Sequence, residues 1–386
     1  TIMAMYLVVA RERGISWDSL AGTIQNDFLM ETAITMAPAV LPPAASFKLS
    51  TDVVEFCTLH VPRWNPISYT GYNYREAGVD AVQEVAIVLA NALATVEKMV
   101  RRGHPVDRFV PRLSFFFSAD SDFFEEIAKY RAARRLWCKL MRERYGADNP
   151  RTLALRYHVQ TAGWTLTAQE PLNNVVRAAY QALAAVLGGA QSLHVDGYDE
   201  ALCIPTEQAA LLALRTQQIL QEETNVANTI DPLGGSYYVE YLTNELERRI
   251  REYLGRIEAQ GGIVAAVANG WLHGEIMSSS YRIQKDIEAG RRRIVGVNCY
   301  PAGEQRVEIF RPNPATRSAQ LERLAEVRRT RDAARVAEAL AGVRRACEAG
   351  ANAMPAIVEA VAARATVGEI AGVLREVYGT WRLPLY

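Results

Sequence analysis

The 386-residue chain alternates between two hydrophobic periods. Short runs rich in β-branched and aromatic residues recur at LAGTIQ (20–25), ISYTGY (67–72), RLSFFF (112–117), LRYHVQT (155–161), SLHVDG (192–197) and RIVGVN (293–298). Between them lie longer stretches in which apolar residues return every three or four positions, such as DAVQEVAIVLANALATVEKMV (80–100) and FFEEIAKYRAARRLWCKLMRERYG (123–146). The first period belongs to strands and the second to amphipathic helices. Their alternation predicts parallel βαβ units. Six units in unbroken succession suit a β/α barrel better than an open sheet, and a full barrel has eight strands. The chain opens inside a helical pattern, TIMAMYLVVARERG. The expected fold is therefore α/β: a (β/α)8 TIM barrel over residues 1–310 that lacks its first strands in this chain. From about residue 311 the strand signal stops. RPNPATRS leads into charged helical patterns, which predict a C-terminal helical segment over 311–386.

Composition adds limits. Hydrophobic residues make up 49% and charged residues 22%, with a formal net charge of zero. That is ordinary globular balance, with no global field directed at nucleic acid or an anionic membrane. No apolar run reaches transmembrane length. The five cysteines, Cys57, Cys138, Cys203, Cys299 and Cys347, are widely spaced and form no CxxC pair, which points to a reducing, cytoplasmic setting. The basic run RRTRDAARVAEALAGVRR (328–345) reads first as a solvated helix face, and second as a docking surface.

In a β/α barrel, chemistry gathers at the C-terminal ends of the strands. Here those ends supply Thr23, Gln25, Asn26 and Asp27; Tyr72, Asn73 and Glu76; Arg112 and Ser114; His158, Gln160 and Trp164; His194, Asp196, Tyr198, Asp199 and Glu200; and Asn298. Amides, hydroxyls and aromatics dominate. No HExxH, no zinc-spaced Cys/His set, no Walker motif and no GxGxxG after a strand is present. Such a neutral lining suits holding an uncharged reactive species while a cofactor carries the hard chemistry. Each residue also has a plain structural reading. Tyr72 and Trp164 could pack, His158 and His194 could be core histidines, Asn26 and Asp27 could cap a helix, and Glu76 could pair with Arg75 on the surface. Spacing alone leaves the reaction open.

The segments AGTIQND, PRLSFFF, RYHVQTAGW, GGAQSLHVDGYDEALCIPTEQAALLALRTQQIL, DPLGGSYYVE and VGVN together resemble the large subunit of adenosylcobalamin-dependent acyl-CoA mutases. This family includes the methylmalonyl-CoA, isobutyryl-CoA and 2-hydroxyisobutyryl-CoA mutases, and the resemblance runs from about residue 8 to the end. It implies a barrel that threads the CoA arm along its axis, with a cobalamin-binding domain over its C-terminal face. It also implies radical chemistry started by homolysis of the cofactor's cobalt–carbon bond, and a 1,2-migration of the thioester carbonyl group. By the same resemblance, Thr23 and Gln25 line the acyl end of the pocket and Tyr72 flanks the reacting carbons. Glu76, Asp196 and Glu200 face the adenosyl ribose, Asp196 standing where the mutases usually have Asn. Arg112, Ser114, His158 and Gln160 lie along the CoA- and corrin-facing wall.

Three departures from the family pattern refine this. Methylmalonyl-type members carry an arginine about twelve residues after the Thr of TIQND, where it clamps a free carboxylate; here Thr35 stands at that place. The loss predicts a branched acyl-CoA without a second carboxylate, of the isobutyryl or 2-hydroxyisobutyryl kind. The family's GYH is GYN here, so Asn73 replaces a histidine that donates to the thioester carbonyl; an amide can still donate but cannot serve as a general acid near neutral pH. The DxHxxG cobalamin motif is absent, which implies a separate small B12-binding subunit that holds the cobalt, in a hetero-oligomer of two large and two small subunits. A mutase for an unusual thioester and a non-catalytic barrel partner stay open as alternatives.

Overall fold

The computed structural model describes residues 1–34, 40–303 and 305–384. Thr35 lies outside them. The chain divides into two compact units, one of Thr1–Ser68, Glu97–Leu113 and Arg311–Tyr386, the other of Tyr69–Val96 and Ser114–Phe310.

In the first unit, strands β1 (Gly22–Thr23) and β2 (Trp64–Asn65) pair in parallel. A Cβ on Gly22 would stand 2.6 Å from the Trp64 ring, so only glycine admits the indole there. Helices Ile2–Glu12, Pro43–His60, Ala333–Glu348, Met354–Ala362 and Val367–Tyr378 close around one apolar cluster that includes Leu7, Phe56, Trp64, Val343, Ile357 and Ile370. The last helix opens with a capping box, Thr366 and Glu369 satisfying each other's backbone N–H groups. Helix Ala315–Thr330 buries none of its residues. Arg328 and Arg329 are exposed, and Arg331 pairs with Glu369. Among the first unit's early polar residues, Asp27 accepts from the Met30 N–H at 3.1 Å and so caps helix Phe28–Ile34.

The second unit is built on strands β3 (Ile67–Thr70), β4 (Leu113–Ala119), β5 (Tyr157–Thr161) and β6 (Ser192–His194), hydrogen-bonded in that order. β4 with β5 and β5 with β6 are parallel. Period-two alternation divides the strands into two faces. Phe115, Phe117 and Tyr157 point to helix Phe123–Tyr145, where Phe115 meets Trp137 edge-on at 5.1 Å and Tyr130 stacks on Tyr157 at 5.5 Å. Phe116, His158 and Gln160 take the other face. The α/β class and its parallel strands agree with the sequence. Among the described residues, however, the strands make one sheet of two and one of four, not a single ring of eight.

RIVGVN is not a strand. Residues 294–299 form a turn closed by the Val295–Cys299 bridge. Asn298 organises it, accepting from the Ile294 N–H at 2.7 Å and donating to the Ile287 and Arg292 carbonyls at 2.9 and 2.8 Å. A side chain that satisfies this much local backbone removes the need for a ladder, and Gly296 supplies the positive φ of 82° that the turn requires.

Candidate active site

The site starts where β3 ends. Gly71 donates its N–H to the Phe116 carbonyl at 2.7 Å, and a Cβ on it would meet Glu84 Cγ at 2.8 Å. The chain then turns into the short helix Tyr72–Glu76, which presents Tyr72 to the polar face of the sheet. The Tyr72 ring stacks on Phe116, with centroids 5.1 Å apart and planes within 6°. Phe116 meets His158 at 5.0 Å, and His158 Nδ1 lies 2.8 Å from Ser192 Oγ. Strand register explains this row, since Phe116, His158 and Ser192 are aligned across β4, β5 and β6.

Two residues further on, the register aligns Ser118, Gln160 and His194. Gln160 Nε2 donates to Tyr72 Oη at 3.0 Å and to Asp196 Oδ1 at 2.7 Å. Thr161 Oγ1 donates to Asp196 Oδ2 at 2.8 Å and accepts from the Asp196 N–H at 2.9 Å. His194 Nε2 stands 3.6 Å from Asp196 Oδ1. Gly163 completes the group. A Cβ there would lie 3.0 Å from Tyr72 Oη, 3.2 Å from Glu76 Oε2 and 3.4 Å from Glu200 Cγ. The missing side chain is what lets a phenol and two carboxylates converge. Glu76 receives the Trp164 backbone N–H, while its Oε1 is buried without a hydrogen-bond partner.

In these partly dry surroundings burial raises the pKa values of all four groups, and the neighbouring carboxylates add to the shifts of Glu76, Glu200 and Tyr72. Glu76 is pushed up to about 8, first by burial and then by Asp196 and Glu200. Burial raises Asp196 to about 6 against the opposing bonds from Thr161 and Gln160. Glu200 is raised by burial and by Asp196. Tyr72 is raised by burial, Asp196, Glu76 and Glu200, so it keeps its proton. His158 and His194 are lowered, chiefly by burial. Near neutral pH the cluster therefore holds a proton on Glu76, and the imidazoles are neutral. His194 is exposed and His158 half-buried, so neither is a core histidine.

Beneath this face runs a buried ionic network. Arg75 Nη2 lies 3.0 Å from Asp120 Oδ2 and 3.3 Å from Glu126 Oε1, and its Nη1 donates to the Val79 carbonyl. Lys129 Nζ bonds Glu84 Oε2 and the Ser118 carbonyl, both at 2.7 Å, together with Glu126. Asp120 accepts from Trp164 Nε1 at 3.2 Å and pairs with Arg292 at 3.1 Å. Arg75 thus turns inward and is only 6% exposed. It is not a surface partner for Glu76, as the adjacency of the two residues suggested.

Of the residues singled out in sequence, Tyr72, Glu76, Gln160, Asp196 and Glu200 come together, with His158 on the same face and Asn73 half-buried beside Tyr72. Ser114, the second residue of β4, falls on that face by alternation. Thr23, Gln25 and Arg112 belong to the first unit. There Thr23 Oγ1 accepts from Asn65 at 2.9 Å, Gln25 lines a cavity beside Asn26 and Phe28, and Arg112 donates to the Arg63 carbonyl. Sequence reasoning missed Gly163, Thr161 and Asp120. The one available signal was the TAG tripeptide at the end of a strand, where a glycine marks close approach.

The sequence matches the family model of methylmalonyl-CoA mutase over residues 1–380. It is 43% identical over 384 residues to the 2-hydroxyisobutanoyl-CoA mutase large subunit of Aquincola tertiaricarbonis, covering 99% of this chain and 68% of that protein. It is 41% identical over 385 residues to the methylmalonyl-CoA mutase of Escherichia coli, covering 99% and 54%. Identity to the human mitochondrial methylmalonyl-CoA mutase is 41% over 381 residues, covering 98% and 51%. The chain thus spans about two thirds of the first relative and about half of the other two.

Proposed function

Because the chain belongs to the methylmalonyl-CoA mutase family, we propose that it is the acyl-CoA-binding part of an adenosylcobalamin-dependent mutase with a β/α-barrel architecture. The proposed reaction is the isomerisation of a branched monocarboxylic acyl-CoA, such as isobutyryl-CoA or 2-hydroxyisobutyryl-CoA, by 1,2-migration of the thioester carbonyl group. The observation that carries this reading is the convergence of Tyr72, Glu76 and Glu200 around Gly163, with Gln160 tying Asp196 to the phenol. Its chemistry fits a ribose. The hydroxyls of a sugar need acceptors, and the buried Glu76 Oε1 has no partner of its own, while the missing Cβ of Gly163 leaves a cradle between Tyr72, Glu76 and Glu200. In this assignment Glu76, Asp196 and Glu200 hold the adenosyl group.

When bound, the cofactor supplies a weak cobalt–carbon bond from which radical chemistry starts. The residues of this chain hold and shield. Tyr72, fixed by Phe116 and Gln160, offers a flat wall that keeps its proton. Gln160 locks the phenol and Asp196 in one geometry, so neither reorients during the reaction. Asn73 donates an amide N–H toward the thioester carbonyl. From the family pattern, Thr23 and Gln25 are assigned to the acyl group, and Arg112, Ser114 and His158 to the CoA arm and the corrin face. A small cobalamin-binding subunit carries the cobalt in a cytoplasmic hetero-oligomer of two large and two small subunits; the first relative, itself named a large subunit, supports a partner of this kind. Thr35 in place of an arginine favours an acyl group without a free carboxylate.

The test is turnover of a panel of acyl-CoAs with adenosylcobalamin and the cobalamin-binding partner, followed by chromatography of the thioesters. Isomerisation of isobutyryl-CoA or 2-hydroxyisobutyryl-CoA, with little turnover of methylmalonyl-CoA, is the expected result. Preference for methylmalonyl-CoA overturns the substrate assignment, and no turnover of any thioester overturns the enzyme reading.

A further inference from the structure

Beside the carboxylate cluster, and within the second unit, lies a cavity of about 410 Å³. Trp164 and Tyr180 supply its aromatic walls, Asn173 a polar group, and Arg177, Arg292 and Arg293 its charge. The lining contains three guanidinium groups and no carboxylate. Arg177 is spent on neutral acceptors: Thr167 Oγ1 at 3.0 Å, Asn174 Oδ1 at 2.8 Å and the Val295 carbonyl at 2.7 Å. Arg293 lies 5.7 Å from the Tyr300 ring centroid. Among the described residues neither has an acidic partner. Arg292 pairs with Asp120, which it shares with Arg75, and its guanidinium sits 4.4 Å over the Trp164 ring.

We propose that this cavity binds a compact organic anion bearing a phosphate or carboxylate group, a ligand distinct from the acyl-CoA and the cobalamin. The proposal does not depend on the mutase reading. Guanidinium groups without acid partners around one concave space are the arrangement that carboxylates and phosphates select, because the fork of N–H donors matches a pair of their oxygens. The volume sits at the small end of ligand pockets, which fits a body of a few carbons and excludes a full CoA. The cavity also borders the first turn of helix Asn173–Leu187, whose dipole adds positive potential. Occupancy is readable at the site, because Arg292 contacts both the cavity and Trp164, and the Trp164 N–H meets Glu76.

The experiment is calorimetric titration of the full-length protein with inorganic pyrophosphate and with citrate, each against potassium chloride at matched ionic strength. Tryptophan fluorescence of wild type and Trp164→Phe is recorded in parallel. Saturable binding of either probe supports the site, and the stronger probe identifies the oxyanion class. Arg293→Gln, on an exposed side chain that ties no backbone, weakens that binding about tenfold, while Arg293→Lys recovers part of it. The fluorescence response disappears in Trp164→Phe. The proposal is overturned if neither probe saturates up to about 10 mM, a weak affinity for a built site. It is also overturned if Arg293→Gln and Arg292→Gln both bind as the wild type does.

Discussion

Glu76→Gln is the perturbation that probes the cluster most sharply. Glutamine keeps the shape of the protonated carboxyl and cannot ionise. A carboxyl whose folded pKa is raised holds its proton more tightly in the folded state than in the unfolded one. The stability this confers is present below the unfolded value and is lost as pH rises toward the folded value. For Glu76 that window runs from the ordinary 4.5 to about 8. At about 1.4 kcal/mol per pKa unit the full displacement corresponds to about 5 kcal/mol. The side chain keeps some contact with water, and screening reduces this to about 2 kcal/mol. Asp196, raised to about 6, completes its own loss at lower pH, while Glu126, raised to about 7, titrates alongside; over the interval from about pH 6 to pH 8.5 the difference between wild type and Glu76→Gln is therefore what reports Glu76. Urea denaturation across that interval is the assay. The loss for Glu76 begins near pH 4.5 and is already under way at pH 6, so the advantage of Glu76→Gln should grow by about 1 kcal/mol between the acid and the alkaline end of the interval. Parallel curves over the whole interval would show that Glu76 ionises freely, and the argument from a dry, mutually repelling cluster would fail.

Other perturbations reach different parts of the account. Gly163→Ala places a methyl 3.0 Å from Tyr72 Oη and 3.2 Å from Glu76 Oε2; turnover should fall about a hundredfold through misplacement of these groups, with unfolding shifted by only about 1 kcal/mol, whereas unchanged turnover would detach Gly163 from the site. Lys129→Met leaves Glu84 and Glu126 buried without their shared cation, so thermal or urea unfolding should show a loss of about 3–5 kcal/mol; a loss below about 1 kcal/mol would mean the network is solvated. Asp196→Asn should remove an inflection near pH 6 from the kcat/KM profile, and an identical profile would assign that limb to another group. Asn73→His should lower turnover of the native monocarboxylic thioester; a gain of ordinary mutase activity from a silent parent would instead mark the pocket as degenerate.

Some of this was legible in the chain before any coordinates. RLSFFF announces β4 because a continuous aromatic run must be buried on both sides of a covered sheet, and LRYHVQT announces β5 by its alternation, which is kept in the alternating burial of Tyr157–Thr161. Asp27 reads as a cap and caps a helix. RIVGVN misled because its apolar period is that of a strand, while the Asn298 side chain takes over the backbone bonds a ladder would have used. Trp64–Asn65 is too short to carry a period at all. The pairing of Arg75 with Glu76 looked plausible from adjacency, yet consecutive helical residues point about 100° apart, and Arg75 finds Asp120 and Glu126 instead. Strand ends exposed the polar residue types of the site. What sequence could not show is that Gly163 and Thr161 act by proximity, because an absent methyl and a two-way hydroxyl leave no mark in composition.

The most direct test of the central claim is electron paramagnetic resonance of samples frozen during reaction of the full-length protein, its cobalamin-binding partner and adenosylcobalamin with a series of acyl-CoAs. The account predicts an organic radical signal that builds with a branched monocarboxylic acyl-CoA, and a weaker one when Glu76 or Tyr72 is replaced. Silence with every acyl-CoA, in a complex proven to bind the cofactor, would contradict it.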